Sequence, residues 1–429
     1  MLSWLISQPE ACLSAKWAQM DALNIPTTFL RPEIGLNPAH EPVVRRDLTA
    51  HLDRLEADIW EEVGMALEVV WGKDSQSWRE VNLDHTIRRV VARAANRVFV
   101  GDKLCRNDDY IENSIRYVTQ VSAVGLLMNL FPSWVKRFVG VIFTTPIRIT
   151  YSRCSKHLIP VFSELTSMES SAYPCLFSSW LVTNADKFSL SSPERTPDYL
   201  SRRIMALNFA AIHTSTMTTC NLLLDVFSSV SSKSFLYEES LDSSSRWDKI
   251  CNRTRLNQMP RLDSALRESL RLWGVVAKAM SRKIIHPDGA ILPTGQHLPQ
   301  GVTVCISGWG LHHDEAIYPQ PFEFVHDRFM RTLIDGQEKA KGEKGASTRS
   351  STATAVEIDE RFVTWGVGKH ACPGRFFAVD VVKIILAHVL LEYEVEILDR
   401  RAENMWIEYN VIPPHDATLR VKRRGVVSL

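Results

Sequence analysis

The segment Phe362-Val-Thr-Trp-Gly-Val-Gly-Lys-His-Ala-Cys-Pro-Gly-Arg-Phe-Phe-Ala378 sets one cysteine in a glycine-rich loop just before an apolar run. Gly366, Gly368 and Gly374 allow a tight turn and a close approach to a flat ligand, and Pro373 suits the first turn of a helix continuing through Val379, Val382 and Leu386. At such a helix start, unpaired N–H groups and the positive end of the helix dipole favour a Cys372 thiolate, the form of cysteine that binds metal. Two other readings compete with this one, a buried free thiol and one corner of a zinc site. Zinc asks for about four ligands, commonly in paired CxxC or HxxxH spacing, whereas only His370 is close and the nearest other cysteine is Cys305. A merely structural thiol would not call for Trp365, His370 and Arg375 at these offsets.

Two upstream stretches add polar groups at helical spacing. Leu262-Asp-Ser-Ala-Leu-Arg-Glu-Ser-Leu-Arg-Leu272 reads as an amphipathic helix with Glu268 and Arg271 on one face. Taken alone, that pair is equally well a solvated helical salt bridge, which adds about 0.3–0.5 kcal/mol. Leu207-Asn-Phe-Ala-Ala-Ile-His-Thr-Ser-Thr-Met-Thr-Thr219 reads as a long helix with small residues at Ala210 and Ala211 followed by clustered hydroxyls. By itself it is a buried helix whose threonines bond back to their own turn.

Together these stretches resemble one known family. Trp365-Gly-x-Gly-x-His-x-Cys-Pro-Gly374 is similar to the haem-binding signature of the cytochrome P450 family, the haem-thiolate monooxygenases, with Trp where Phe is commoner. Glu268 and Arg271 then resemble the family's ExxR helix. Tyr318-Pro-Gln-Pro-Phe-Glu-Phe-Val-His-Asp-Arg-Phe329 resembles the meander that supplies the third member of that network, here Arg328, with His326 where Pro is usual. Ala210-Ala-Ile-His-Thr-Ser215 resembles the oxygen-activation helix, with Thr214 as the hydroxyl that bends the helix and delivers protons to dioxygen. His213 replaces the family's acid, and an imidazole can relay a proton as a carboxylate can.

The resemblance implies a mainly α fold with smaller β-sheets and a haem b whose iron takes Cys372 as axial ligand. Trp365, Gly366 and Gly368 would cradle that haem, and His370 and Arg282 would hold its propionates through charge-assisted bonds. For Arg282 a solvated strand charge is the competing reading, and His40 and Arg45 match the family's other propionate contacts only weakly. The implied reaction is oxygen insertion into an apolar small molecule, of the terpenoid secondary-metabolite kind met in the fungal branch. Dioxygen is the co-substrate, and electrons come from NADPH through a separate reductase, because no dinucleotide-binding Gly-rich unit occurs in the chain. The alternatives are a haem-thiolate isomerase or dehydratase and a non-catalytic, truncated haem-binding protein.

The elements that would position these residues follow a gradient along the 429 residues. Helical periodicity is expected at Arg46 to Val70, His85 to Phe99, Glu112 to Leu130 and Ser201 to Phe227. Strands are expected at Arg282 to Ile285, Val302 to Ser307, Tyr393 to Ile397 and Thr418 to Lys422. Gly336 to Thr354 is a Lys/Gly/Ser/Thr/Ala tract expected to be a mobile surface loop within one domain spanning 1–429.

Net charge is +1, with 50 basic and 49 acidic residues, so no nucleic-acid partner is implied. Eight cysteines without CxxC pairs point to a reducing compartment. Eukaryotic members of the family begin with a membrane anchor, a hinge, a first helix and part of a first sheet, none of which is recognised here. Charges at Glu10, Lys16, Asp21, Arg31 and Glu33 leave no run near the roughly 18–20 apolar residues of a span. The resemblance implies the cytosolic face of the endoplasmic reticulum, the missing anchor a cytoplasmic protein. Val118 to Val135 carries no charge, and apolar character continues from Phe138 to Ile147. This reads as a buried helix and its loop, with peripheral contact with a membrane surface as the alternative.

Overall fold

A central helix, Pro197–Phe227, organises the molecule. In the computed structural model, which describes residues 1–247, 256, 258–275, 277–330 and 354–425, it packs against the helices Leu83–Phe99, Asp108–Asn129, Thr145–Ser167 and Arg375–Glu392. Helices dominate, as expected, and the sheets are small and antiparallel. Of the tract Gly336 to Thr354, all but Thr354 lies outside the described residues.

The helix starts lie a turn ahead of the apolar periodicity because polar caps set them. The Thr196 hydroxyl accepts from the Tyr199 N–H and Pro197 occupies the first turn, so the central helix begins before Ser201. The Asn107 side chain accepts from the Tyr110 N–H at 2.9 Å, so the next helix starts at Asp108 and not at Glu112. At Arg46 the chain first makes a wide π turn, Val44–Leu48, and the α-helix runs from Thr49 to Trp71. A π turn displaces its side chains from the ordinary helical phase, and here it carries Arg45.

One sheet runs Leu13–Ser14, Lys278–Ile284, Thr303–Ser307, and a second runs Arg79–Asn82, Thr418–Arg423, Tyr393–Val395. Each expected strand is present within a few residues of its expected bounds. In the first sheet the register shifts between Ala279 and Arg282, and Met280 sits at φ 56°, a left-handed conformation costly for a side chain of its kind. This bulge re-aims Arg282.

The uncharged stretch splits in two. Val118, Val121, Val124 and Met128 are buried on the helix Asp108–Asn129, as expected. Beyond it the expectation of burial fails. The helix Ser133–Phe143 leaves Trp134, Phe138, Val141 and Ile142 in solvent. Hydropathy alone does not say whether an apolar face finds a partner. No helix among the described residues is long and apolar enough to cross a membrane.

The chain on either side of 331–353 is pinned to one helix, Pro260–Leu272. The Phe329 N–H donates to Ser264 Oγ at 3.2 Å and the Ala355 N–H to Asp263 Oδ1 at 3.2 Å.

Candidate active site

The Cys372 loop is closed by its own backbone. Gly366 and Gly368 both take φ 72°, where glycine is favoured, and the Cys372 N–H donates to the Trp365 carbonyl at 2.7 Å. Gly374 behaves differently: at φ −88° it caps the helix Arg375–Glu392 in a conformation open to any residue, and its place is on the wall of a cavity. The helix therefore begins after Pro373, which fixes the approach to the cap and is not part of the first turn. The Trp365 indole N–H donates to the Ala355 carbonyl at 2.7 Å, bracing the loop from outside.

The amides of Gly374 and Arg375 point at the Cys372 sulfur and Arg375 adds positive charge, as expected of a helix start. Burial nevertheless outweighs them and pushes the thiol above its ordinary pKa. The dipole argument for a resting thiolate thus fails on desolvation. A bound metal would reverse this, since a coordinating thiol is deprotonated outright. Among the described residues no three His, Cys, Asp or Glu side chains converge as a ligand set, so the protein offers Cys372 no partners for tetrahedral zinc.

Beneath the loop, Glu268 and Arg271 are fully buried and paired side-on, Nε to Oε2 and Nη2 to Oε1 at 2.8 Å each. Arg328 Nε reaches Glu268 Oε1 at 2.8 Å, so the three residues meet. Arg271 Nη1 also donates to the carbonyls of His312 and Pro321, at 2.6 and 2.7 Å. Two further residues of this scaffold escaped the sequence reading. His312 Nε2 accepts the Val363 N–H at 3.0 Å and ties the pair to the start of the cysteine loop. Arg267 holds the carbonyls of Thr354 and Glu357 and the carboxylate of Asp359, beneath the Phe362 ring. A lone His and a helical Arg carry no spacing signal that would have marked them.

Between the loop and the central helix lies a cavity of about 790 Å3. Cys372, Trp365, Gly366 and Phe377 line one side, and Ala210, Ala211, Thr214, Ser215 and Thr218 the other. Thr214 Oγ1 donates to the Ala210 carbonyl at 2.6 Å, four residues back. His213 does not line this space. Its ring stacks beside Phe209, its buried Nδ1 lacks a partner, and its charged surroundings are Arg88, Asp84 and His415. The cavity is lined by Thr214 and Ser215 and not by His213, so the expected pair does not share that face.

One rim of the cavity is polar. Arg282 is 7 % exposed, and its Nη1 donates to the Ser281 carbonyl at 2.9 Å, with no ion pair among the described residues. His370 Nε2 lies 3.4 Å from Glu10 Oε2. Arg45 Nη1 donates to the Lys369 carbonyl at 3.1 Å, and His40 Nδ1 is sealed from solvent without a partner. Arg203 on the central helix holds the Asn37 carbonyl at 2.7 Å and Glu194 at 2.6 Å, and so places the segment that leads to His40. Glu10, an acid on a rim of bases, is separated from Arg282 and His370 by most of the chain, and no sequence spacing links it to them.

A family model described as Cytochrome P450 matches residues 40–419. The chain belongs to the cytochrome P450 family. It is 30 % identical over 433 residues to cytochrome P450 monooxygenase 71 of Postia placenta, covering 98 % of this chain and 82 % of that protein. With cytochrome P450 monooxygenase htyF of Aspergillus rugulosus it shares 29 % identity over 88 % of this chain, spanning 57 % of that protein's length. Among solved structures, retinoic acid bound cyanobacterial CYP120A1 superposes with a TM-score of 0.67 at 17 % identity, covering 98 % of this chain and 86 % of that one. The protein is a P450 monooxygenase, and haem is the cofactor its family implies.

The residues present fit that cofactor. Glycines and a thiol form one wall, and the rim offers the cationic and hydrogen-bonding groups that two propionates require, including the orphaned His40 Nδ1 and the Arg282 guanidinium.

Burial also holds three imidazoles of this P450 neutral, His40 at about 3, His213 at about 4 and His312 at about 3. Positive neighbours, Arg203, Arg88 and Arg271 respectively, act in the same direction. The folded state resists protons that the unfolded chain accepts from about pH 6.5 downward. Stability is therefore whole above that pH and is lost as pH falls toward the folded values, by about 1.4 kcal/mol per unit for each group. In His312→Gln, which keeps an acceptor for the Val363 N–H, urea unfolding below neutrality is expected to show a loss smaller by that amount. An unchanged pH profile would mean that His312 is protonated in the fold.

Proposed function

We propose that this P450 oxidises an apolar small molecule, of the terpenoid secondary-metabolite kind, with Cys372 as the residue that would hold the iron of haem b. The observation that carries the proposal is the placement of Cys372 across one cavity from Thr214. Bound haem would supply dioxygen activation, with electrons from NADPH passed on by a separate flavoprotein reductase. Trp365, Gly366 and Gly368 would form the bed of the group, Arg282 would neutralise a carboxylate of it, and His370, its pKa lowered by burial and by Arg282, would donate a hydrogen bond. Glu268, Arg271 and Arg328 would act through the loop they support, without touching substrate. Leu207, Phe209, Ala210 and Ala211 present apolar surface to the same space, which favours an apolar substrate held by shape and water exclusion. The exposed apolar face at Trp134 and Phe138 supports a peripheral membrane contact, in keeping with a place on the cytosolic face of the endoplasmic reticulum.

Thr214 is assigned the proton-delivering hydroxyl. Its bond to the Ala210 carbonyl holds the hydroxyl against its own helix at the cavity wall, and a rotation would free it toward the cavity. His213, behind the helix, is not assigned contact with the reacting atoms. An isomerase or dehydratase would have no use for this hydroxyl, and Thr214→Val separates the readings. With reductase and an oxidised substrate, NADPH oxidation is expected to continue while product per NADPH falls by at least about a hundredfold, the lower end for a lost acid–base group. Unchanged product yield per NADPH would make Thr214 an ordinary helical threonine. Comparing the products of a strain with and without the gene, and assaying a panel of terpenoids, tests the substrate class.

A further inference from the structure

Away from the Cys372 cavity, a second cleft of about 380 Å3 lies between the helix Thr145–Ser167, the start of the central helix and the loop at Leu30. Arg31, Arg148 and Arg202 line it together with Ser152, Ser155 and one acid, Asp198. The acid is already engaged. Asp198 Oδ2 accepts from Arg202 Nε at 2.9 Å, and Asp198 Oδ1 accepts from Tyr151 Oη at 2.8 Å, with the Arg202 guanidinium 4.0 Å over the Tyr151 ring. Neither Arg31 nor Arg148 makes an ion pair among the described residues. The acid nearest Arg31 in charge is Glu33, whose carboxylate accepts from Tyr199 Oη at 2.6 Å. Arg31 and Arg148 thus line a hydroxyl-bearing cleft whose one carboxylate, Asp198, is held by Arg202 and Tyr151.

The surroundings say which anion. Leu130, Trp134, Phe138, Val141, Ile142 and Ile149 are each more than half exposed, Ile149 directly after Arg148. The helix that carries most of them, Ser133–Phe143, packs beside the short helix Ile25–Thr28 that precedes Arg31: a side chain at Gly140 would meet the Thr27 methyl at 3.1 Å. An apolar face with a tryptophan, flanked by unpaired arginines, matches the boundary between acyl chains and headgroups. Arg binds phosphate oxygens in a two-pronged geometry that Lys cannot reproduce.

We propose that the cleft between Arg31 and Arg148 binds the phosphate of an anionic phospholipid headgroup while the neighbouring apolar face rests on the bilayer. The proposal rests on the membrane contact inferred above, and the two are separable. Co-sedimentation of the haem-loaded protein with phosphatidylcholine vesicles reads the apolar face, and the gain on adding phosphatidylinositol reads the cleft. At low salt Arg31→Gln with Arg148→Gln is expected to weaken binding to the mixed vesicles by about twenty-five-fold, taking roughly a factor of five for each arginine at a charged surface. Binding to phosphatidylcholine alone should change little, and removing equal charge at Arg400 and Arg420 should have far less effect. Arg31→Lys with Arg148→Lys keeps the charge and should still lose most of the preference. Inorganic phosphate at constant ionic strength should compete with the mixed vesicles for the unsubstituted protein.

If the lysine variant keeps the full preference, diffuse charge is responsible and the cleft is no site. Equal binding to both vesicle types overturns the cleft and leaves the membrane contact standing. Failure to bind either overturns both, and phosphate binding alone would then mark a site for a soluble anion. A retained carbon monoxide spectrum in each variant shows that the fold is intact.

Discussion

Cys372→Ala is expected to abolish haem retention. The purified, reduced protein exposed to carbon monoxide should show the strongly red-shifted Soret band peculiar to thiolate-ligated haem, and the variant should show no such band. Cys372 stands at the cavity wall with two backbone amides aimed at its sulfur, and no other ligand set converges among the described residues. Because burial keeps the free thiol protonated, loading should also release a proton. A variant with a normal haem spectrum would refute the assignment of the ligand.

The second large effect is expected at the buried pair below the loop. Glu268→Ala leaves Arg271 and Arg328 facing each other with no anion between them, and Arg271→Ala leaves a buried carboxylate with Arg328 and the Val325 N–H as its remaining partners. Breaking such a pair costs roughly 3–5 kcal/mol, a large part of the about 5–15 kcal/mol that holds a folded protein together. Little or no haem-loaded protein should be recovered from either variant. Removing the exposed partner Glu403 from Arg400 should cost less than about 1 kcal/mol by comparison. Full expression of Glu268→Ala with a small shift in the urea midpoint would mean that the buried pair contributes little to the stability of the fold.

What the sequence disclosed was local. Cys372, its glycines and the offset from Glu268 to Arg271 were legible because a loop or one helical turn sets their geometry. The meander supplying Arg328 could be matched despite His326. The ends of helices were misjudged by a few residues wherever a cap such as Thr196 or Asn107, and not apolar spacing, starts the helix. What needed the folded chain was everything set by distance or solvent. Glu10 meets His370 across most of the sequence, His312 reaches Val363 from a separate element, and the bulge at Met280 aims Arg282. Which of His213 and Thr214 meets the cavity depends on packing. The rise in the Cys372 pKa and the exposure of Trp134 and Phe138 likewise depend on what surrounds them.

The chain leaves one helix at Ser264 and returns to it at Asp263, so the departure and return points of 331–353 are next-door neighbours. Joining two points that are already held together costs little more as the intervening chain lengthens, about 0.6 kcal/mol for each doubling. The Cys372 loop takes its bearings from Ala355 and Asp359 downstream, and so is insulated from that length. This makes the interval the natural place for the gene to gain or lose codons without a change in chemistry, and for a reporter domain to be inserted into the working enzyme.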